Sequence, residues 1–260
     1  MQMITMPLSG IRVIVTRAAD QAEILSNKLR NLGATTIEVP MIEVMPSANT
    51  EPIDNSILKL SKYDWVIFTS VPGVEYFLQR MAVLQIPFSR LYSVKIATIG
   101  PATSAAIMKI GKKPDYVPSE FLSENIASGL SGIEGKRILL PRADIASKSL
   151  PNQLRDKGAS VDEVVAYQTL IPRELDDKRL MMVLESGVNV ITFTSPSTVH
   201  NFASALGEIG VKKYLGKVKI ACIGPVTAEA ARQVGMIVNI IANPHTIDGL
   251  VEAIVIDRKT

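Results

Sequence analysis

Apolar runs of four to six residues recur along the whole chain, each closed by a polar turn and followed by a stretch with helical spacing. From Arg12 the run RVIV leads into a basic turn, and Ala22, Leu25, Leu29 and Leu32 then recur at the interval of one helix face. Asp20 followed by Glu23 has the form of a capping box, and Gly33 stands where a helix C-terminus needs a residue tolerant of positive φ. A second strand runs on toward Pro46. The same order of strand, basic turn, helix, glycine and strand returns from Lys136 to Pro172, with Leu150 and Leu154 on the helix face and Gly158 at its end.

Two further segments repeat at the same offset of about 125 residues. DWVIFTSVPGVEYFLQRM from Asp64 is echoed by NVITFTSPSTVHNFASAL from Asn189, an apolar strand ending in Phe-Thr-Ser whose hydroxyls can cap the helix that follows. VKIATIGPATSAA from Val94 and VKIACIGPVTAEA from Val218 share nine of thirteen residues. In both, proline follows glycine at a first helical turn, where no amide is missed. Short strands are expected around Tyr116 to Val117 and Val238 to Ala242, each before a last helix, SENIASGL or IDGLVEAI.

Short apolar strands alternating with helices predict parallel sheet, since each crossover covers a face that neither element buries alone. The pattern predicts about four strands and four helices per copy in a doubly wound layered α/β fold, with a closed eight-stranded barrel as the rival. A domain boundary fits near Ser131 to Gly135. It fits equally at the proline-bearing stretches Pro46 to Pro52 and Leu170 to Glu174, which hold matching places in the two copies.

Composition adds exclusions. The 260 residues are 47% apolar and 20% charged, with 15 prolines, which describes a folded chain with a substantial core. The apolar runs are far shorter than the roughly 20 residues of a membrane helix, and the opening MQMITMPLSG lacks the form of an export signal, so a cytoplasmic protein is expected. Net charge is only +3, and no run of four basic residues exists to track a phosphate backbone. The lone Cys222 lies in an apolar strand and reads as a buried, inert thiol.

In open parallel sheets, ligands bind beyond the C-terminal ends of the strands, where helix N-termini present free amides. That rule selects Thr16, Arg17, Thr69, Ser70, Gly100, Thr103, Arg142, Tyr167, Thr194, Ser195, Ser197, Thr198, Gly224 and Thr227. Amides and hydroxyls so gathered suit carboxylates or phosphates. The plainer alternatives are caps for Thr69 and Ser195, local ion pairs for Arg17 and Arg142, and turn formation for the glycines. No strand is followed by GxGxxG, GxxxxGK[ST] or a GxSxG elbow, and His200 and His245 have no ligand-spaced partners, so zinc is not expected. His200 is expected to face solvent. Tyr167 closes the run DEVVAY where the first copy has Ile42 or Glu43, so a phenol breaks the duplication there.

The order and duplication of VTR near the N-terminus, both FTS turns, both IGP turns, RILLPRAD and VVAYQT resemble the uroporphyrinogen-III synthase family over nearly all of Arg12 to Val255. The resemblance implies two similar parallel-sheet, three-layer, flavodoxin-like α/β domains joined by a two-stranded hinge. One would be discontinuous, residues 1–44 with 173–260, and the other would be residues 45–172, with the ligand between them. It implies the dehydrating cyclisation of hydroxymethylbilane, a linear tetrapyrrole bearing acetate and propionate groups, through an azafulvene and a spiro intermediate that inverts ring D.

By the same resemblance no metal or organic cofactor is needed; a monomer suffices for the site, and from charge and run length neither a nucleic-acid nor a membrane partner is expected. Tyr167 matches the tyrosine that helps the ring A hydroxyl leave as water. Thr103, Thr227, Ser195 and Ser197 match hydroxyl positions facing the substrate. Near Thr198 relatives often carry a basic residue, a departure that leaves open which group here meets that side of the substrate. The alternative reading is a two-domain intracellular binding protein for a small anion.

Overall fold

The computed structural model describes residues 6–119, 123–172 and 177–259. The chain forms two α/β units: a discontinuous one, made of the segment up to Glu43 together with that from Leu170 onward, and a continuous one, Val44–Thr169. The turn with Gly132 and Gly135, both at positive φ, lies inside the continuous unit. Residues 173–176, which belong to the second proline-bearing stretch, lie outside the described residues.

The discontinuous unit is built on β1 (Arg12–Val15), β2 (Thr35–Glu38), β8 (Val190–Phe193), β9 (Lys219–Cys222) and β10 (Val238–Ile241). Their order is β2-β1-β8-β9-β10, and the pairs along it are parallel. Helices α1 (Ala19–Arg30) and α10 (Ile247–Lys259) pack on one face, where Val13 and Val15 meet Leu25, Leu29, Leu250 and Ile254. Helices α7 (Asp177–Glu185), α8 (Pro196–Tyr214) and α9 (Pro225–Gln233) cover the other, where Ile14 and Phe193 meet Leu180, Phe202 and Ala231. Alternate residues of β1 thus enter opposite cores, as the two-residue period of a strand requires.

The continuous unit contains β3 (Glu43–Pro46), β4 (Trp65–Phe68), β5 (Lys95–Thr98), β6 (Arg137–Ala143) and β7 (Ser160–Leu170), in the order β3-β7-β6-β4-β5. Helices α2 (Glu51–Leu58), α3 (Val71–Val83) and α4 (Pro101–Met108) bury one face, and α5 (Ser123–Gly129) and α6 (Ser149–Asp156) the other. The barrel is excluded, because the strands form two separate open sheets.

Both sheets use the same plan with the copies exchanged. β1 pairs with β8 through Val13 and Val190, and β6 pairs with β4 through Ile138 and Trp65. Asn189 Oδ1 accepts from the Arg12 amide, and Asp64 Oδ2 accepts from the Arg137 amide, each at 2.8 Å. Phe193 meets Phe202 edge-on at 5.3 Å, and Phe68 meets Phe77 edge-on at 5.5 Å. Each such ring pair adds about 0.5–1.5 kcal/mol to the burial of its area. Each sheet therefore takes one strand pair from one copy and three strands from the other.

Several local expectations need correction. Helix α1 begins after Ala18 with no side-chain cap, so Asp20 sits inside the first turn and forms no capping box with Glu23; it complements the helix dipole instead. Around Tyr116 there is one bridge to Ala97 and no strand. Each copy contributes five strands and five helices among the described residues. Gly33 and Gly158 do close their helices at positive φ, and Cys222 is buried. His200 is exposed on α8. No described helix is long and apolar enough to cross a membrane.

Candidate functional site

In each unit the strand order reverses at one place, beside β1 and β8 in the discontinuous unit and beside β6 and β4 in the continuous one. Ligands of such sheets bind at that reversal, beyond the strand C-termini. The predicted residues gather there in two sets.

In the discontinuous unit, Thr16 is fully buried, and its Oγ1 donates to the Thr192 carbonyl at 2.8 Å, while Thr192 Oγ1 donates to the Ile14 carbonyl at 3.0 Å. Thr16 therefore fastens the two strands and offers a ligand no hydroxyl. Arg17, the next residue, is part-buried and held by a neutral partner, its Nη2 donating to Gln21 Oε1 at 2.9 Å. Burial pulls its pKa down and nearby Asp20 acts in the opposite sense.

Ser195 caps α8, its Oγ accepting from the Thr198 amide at 3.3 Å and lying 2.9 Å from Ser197 Oγ. Thr198 is buried and spends its hydroxyl on the Ser195 carbonyl at 2.7 Å, which makes it part of the cap. Thr194 and Ser197 stay part-exposed. At the neighbouring strand end Gly224 precedes α9, whose first turn has no side-chain cap, and Thr227 is buried within that turn.

In the continuous unit, Thr69 is part-exposed and Ser70 caps α3, its Oγ accepting from the Gly73 amide at 3.1 Å. Gly100 precedes α4, again without a side-chain cap, and Thr103 is buried in the first turn. Arg142 is buried and ion-paired: Nη1 lies 3.4 Å from Glu163 Oε2, and Nη2 donates to the Ser147 carbonyl at 2.7 Å. Glu163 also takes Lys148 and Arg155, each at 3.0 Å, so three cations share one carboxylate. Arg142 Nε is buried without a partner among the described residues.

Tyr167 joins this second set. Its hydroxyl lies 3.0 Å from Ser70 Oγ, and its ring stacks on Tyr76 with centroids 5.9 Å apart. A strand irregularity aims it there. The chain from Gly158 to Pro172 is one residue longer than that from Gly33 to Pro46, and the β6–β7 register shifts between Arg142 and Ala143, so that Ala143 pairs with Tyr167. Such bulges re-aim side chains beside functional sites. Burial raises the Tyr167 pKa above that of an ordinary phenol, whereas the Ser70 hydrogen bond and the charge of Arg142 oppose the rise. The phenol is thus protonated near neutrality and available as a donor.

A sequence profile described as "Uroporphyrinogen-III synthase HemD" matches residues 23–252. This chain belongs to the uroporphyrinogen-III synthase family. It is 34% identical over 253 residues to the uroporphyrinogen-III synthase of Synechococcus elongatus, an alignment covering 95% of this chain and 96% of the relative. It is 29% identical to that of Chlorobaculum parvum, covering 91% and 94%. Two solved structures share the fold. A mutant uroporphyrinogen III synthase of Thermus thermophilus has TM-score 0.69 at 18% identity, covering 96% of this chain and 99% of that one. The uroporphyrinogen-III synthetase of Helicobacter pylori has TM-score 0.60 at 16% identity, covering 93% and 97%.

Membership of the uroporphyrinogen-III synthase family places the chain in tetrapyrrole biosynthesis. Four residues near them were not singled out by the sequence. Gly73 holds the place of Thr198 in the other copy, and a Cβ there would stand 3.0 Å from Ser70 Oγ, 3.2 Å from the Pro141 carbonyl and 4.0 Å from Tyr167 Cε1. Comparing the two FTS turns position by position would have found it. Tyr76 and Glu163 had no such signal. His245 packs against the IGP turn, its Cγ 3.3 Å from where a Gly224 Cβ would lie, and its Nδ1 is 2.7 Å from the Ala242 carbonyl. Gly224 is thus a close-approach glycine. Among the described residues no three His, Cys, Asp or Glu side chains gather in a way that could hold a metal ion.

Proposed function

We propose that this protein cyclises hydroxymethylbilane to uroporphyrinogen III with loss of water, inverting ring D through a spiro intermediate. The observation that carries the proposal is the Tyr167 phenol, which is protonated, seated at the strand reversal and hydrogen-bonded to the Ser70 cap of α3 at 3.0 Å. Tyr167 is the catalytic residue. As the C–O bond of the hydroxymethyl group breaks with its electron pair on oxygen, the phenol hydrogen bond stabilises the departing oxygen, which leaves as water. The azafulvene left behind is attacked by the substituted carbon of ring D. The chain holds the substrate so that this carbon reaches it first, giving the spiro intermediate. The bond from that carbon to its original bridge then breaks, and the freed bridge carbon bonds to the free α-carbon of ring D, which loses its proton on closure.

The substrate is a polyanion. The uncapped first turns after Gly100 and Gly224 and the Arg17 guanidinium are proposed to receive its carboxylates, with Thr69, Thr103, Thr227, Ser195 and Ser197 supplying hydroxyls. Thr198 acts by holding the Ser195 turn, and Arg142 acts mainly through its charge beside Tyr167. The proposed route requires no metal or organic cofactor. Incubation of the purified protein with freshly made hydroxymethylbilane, followed by separation of the isomers, tests the reading. Type III product is expected, and type I product alone, formed at the protein-free rate, would overturn it.

A further inference from the structure

We infer that Ser70 is a positioning residue for the reaction, acting through Tyr167: it donates its proton to the phenol oxygen and so frees the phenol's own proton for the departing hydroxyl. The inference rests on the proposed role of Tyr167. The geometry between the two oxygens allows either to donate, and what surrounds them selects the direction. Ser70 Oγ already accepts the Gly73 amide at 3.1 Å, so its O–H remains to be given away, and Tyr167 Oη lies 3.0 Å off. The first turn of α3 carries a partial positive charge on the Ser70 side. Arg142, buried in β6 with its Nε without a partner among the described residues, adds a positive field at the phenol oxygen that outweighs the opposing charge of Asp144. Both favour electron density on the Tyr167 oxygen, which makes it the acceptor from Ser70.

The result is a directed chain: Gly73 N–H to Ser70 Oγ, Ser70 O–H to Tyr167 Oη, and Tyr167 O–H to the leaving oxygen. Each bond in such a chain polarises the next. When the C–O bond breaks, its electron pair stays on oxygen, the phenol proton moves to that oxygen and water departs. Negative charge developing on Tyr167 is met by the Ser70 O–H, and the proton released on ring closure restores the phenol.

The opposite polarity would spend the phenol's single proton on Ser70 and leave nothing to donate. Gly73 belongs to the device, because any Cβ there would crowd the Ser70 hydroxyl. The other copy, with Thr198 in that place, has its serine hydroxyl turned to Ser197 instead.

Three variants test this. Ser70→Gly removes the hydroxyl at little cost to the helix cap, Ser70→Thr keeps a hydroxyl, and Tyr167→Phe removes the phenol. The readouts are kcat and KM on hydroxymethylbilane, the thermal midpoint, and ultraviolet titration of the Tyr167 phenol, taken as the difference from Tyr167→Phe. Ser70→Gly is expected to lower kcat about tenfold, the worth of one hydrogen bond to a developing charge, with KM nearly unchanged. It should also move the Tyr167 ionisation to higher pH, and Ser70→Thr should recover both. Loss of turnover in Tyr167→Phe with full turnover and an unmoved phenol titration in Ser70→Gly overturns this inference alone. Full turnover in Tyr167→Phe overturns the role of Tyr167 and this inference with it.

Discussion

Replacing Gly73 by alanine probes the packing on which the Tyr167 geometry depends. The new Cβ would lie 3.0 Å from Ser70 Oγ and 3.2 Å from the Pro141 carbonyl, both inside ordinary carbon–oxygen contact. The Pro141 oxygen is backbone in a central strand and moves little. Ser70 Oγ can rotate away, and doing so breaks its 3.0 Å contact with Tyr167. Crowding of this kind costs about 1–3 kcal/mol. Exchanging glycine for alanine in a helix returns about 0.5–1 kcal/mol.

The net loss of stability for Gly73→Ala is therefore expected to lie between about 0 and 2.5 kcal/mol, at most several degrees in the melting temperature. Turnover is expected to fall further, about tenfold or more, because the side chain that yields is the partner of the phenol. Parallel melting curves and isomer-resolved turnover measure both quantities. A variant with full turnover and a raised melting temperature would refute the reasoning, since the pair would then tolerate a Cβ without moving.

Further outcomes are expected. Tyr167→Phe should lower turnover about a hundredfold while costing stability only the net worth of one hydrogen bond, about 1 kcal/mol; an equal loss in both measurements would make Tyr167 a packing residue. Asp54 is held below the usual carboxylate range by its paired hydrogen bonds from Arg80, at 2.8 and 2.7 Å. Its folded pKa is thus lower than its unfolded one, so its contribution is complete above the unfolded pKa and is lost as pH falls through the folded value. Asp54→Asn should accordingly destabilise at neutral pH and converge with the parent in strong acid, as denaturant melts at several pH values would show. Burial pushes the Cys222 thiol up to about 12, so a thiol reagent should leave it unmodified in the native protein and modify it after unfolding.

The fold was readable because its signals are local. Leu25 and Leu29 share a helix face, Gly33 and Gly158 stop their helices, and Ser70 and Ser195 cap theirs, each within a few residues of its cause. The capping box failed on the same scale: the N-cap of α1 is Ala18 rather than Asp20, and a two-residue shift removes the motif. Strand-end chemistry was readable as candidates, since fold rules say where strands end. They do not say which hydroxyls are spent internally, as those of Thr16 and Thr198 are.

What the sequence hid was pairing at long range. Ser70 and Tyr167 are 97 residues apart, and Arg142 and Glu163 are 21 apart on neighbouring strands. The bulge that aims Tyr167 was present as one extra residue between Gly158 and Pro172, yet its meaning depends on the register with β6. Gly73 against Thr198 is the second break in the duplication, and it falls beside the first.

The most direct measurement is the isomer ratio of the uroporphyrinogen formed from hydroxymethylbilane as increasing amounts of the protein are added. The account predicts that the type III fraction rises with protein until the spontaneous type I product is suppressed. A ratio that stays at the protein-free value at every concentration would contradict it.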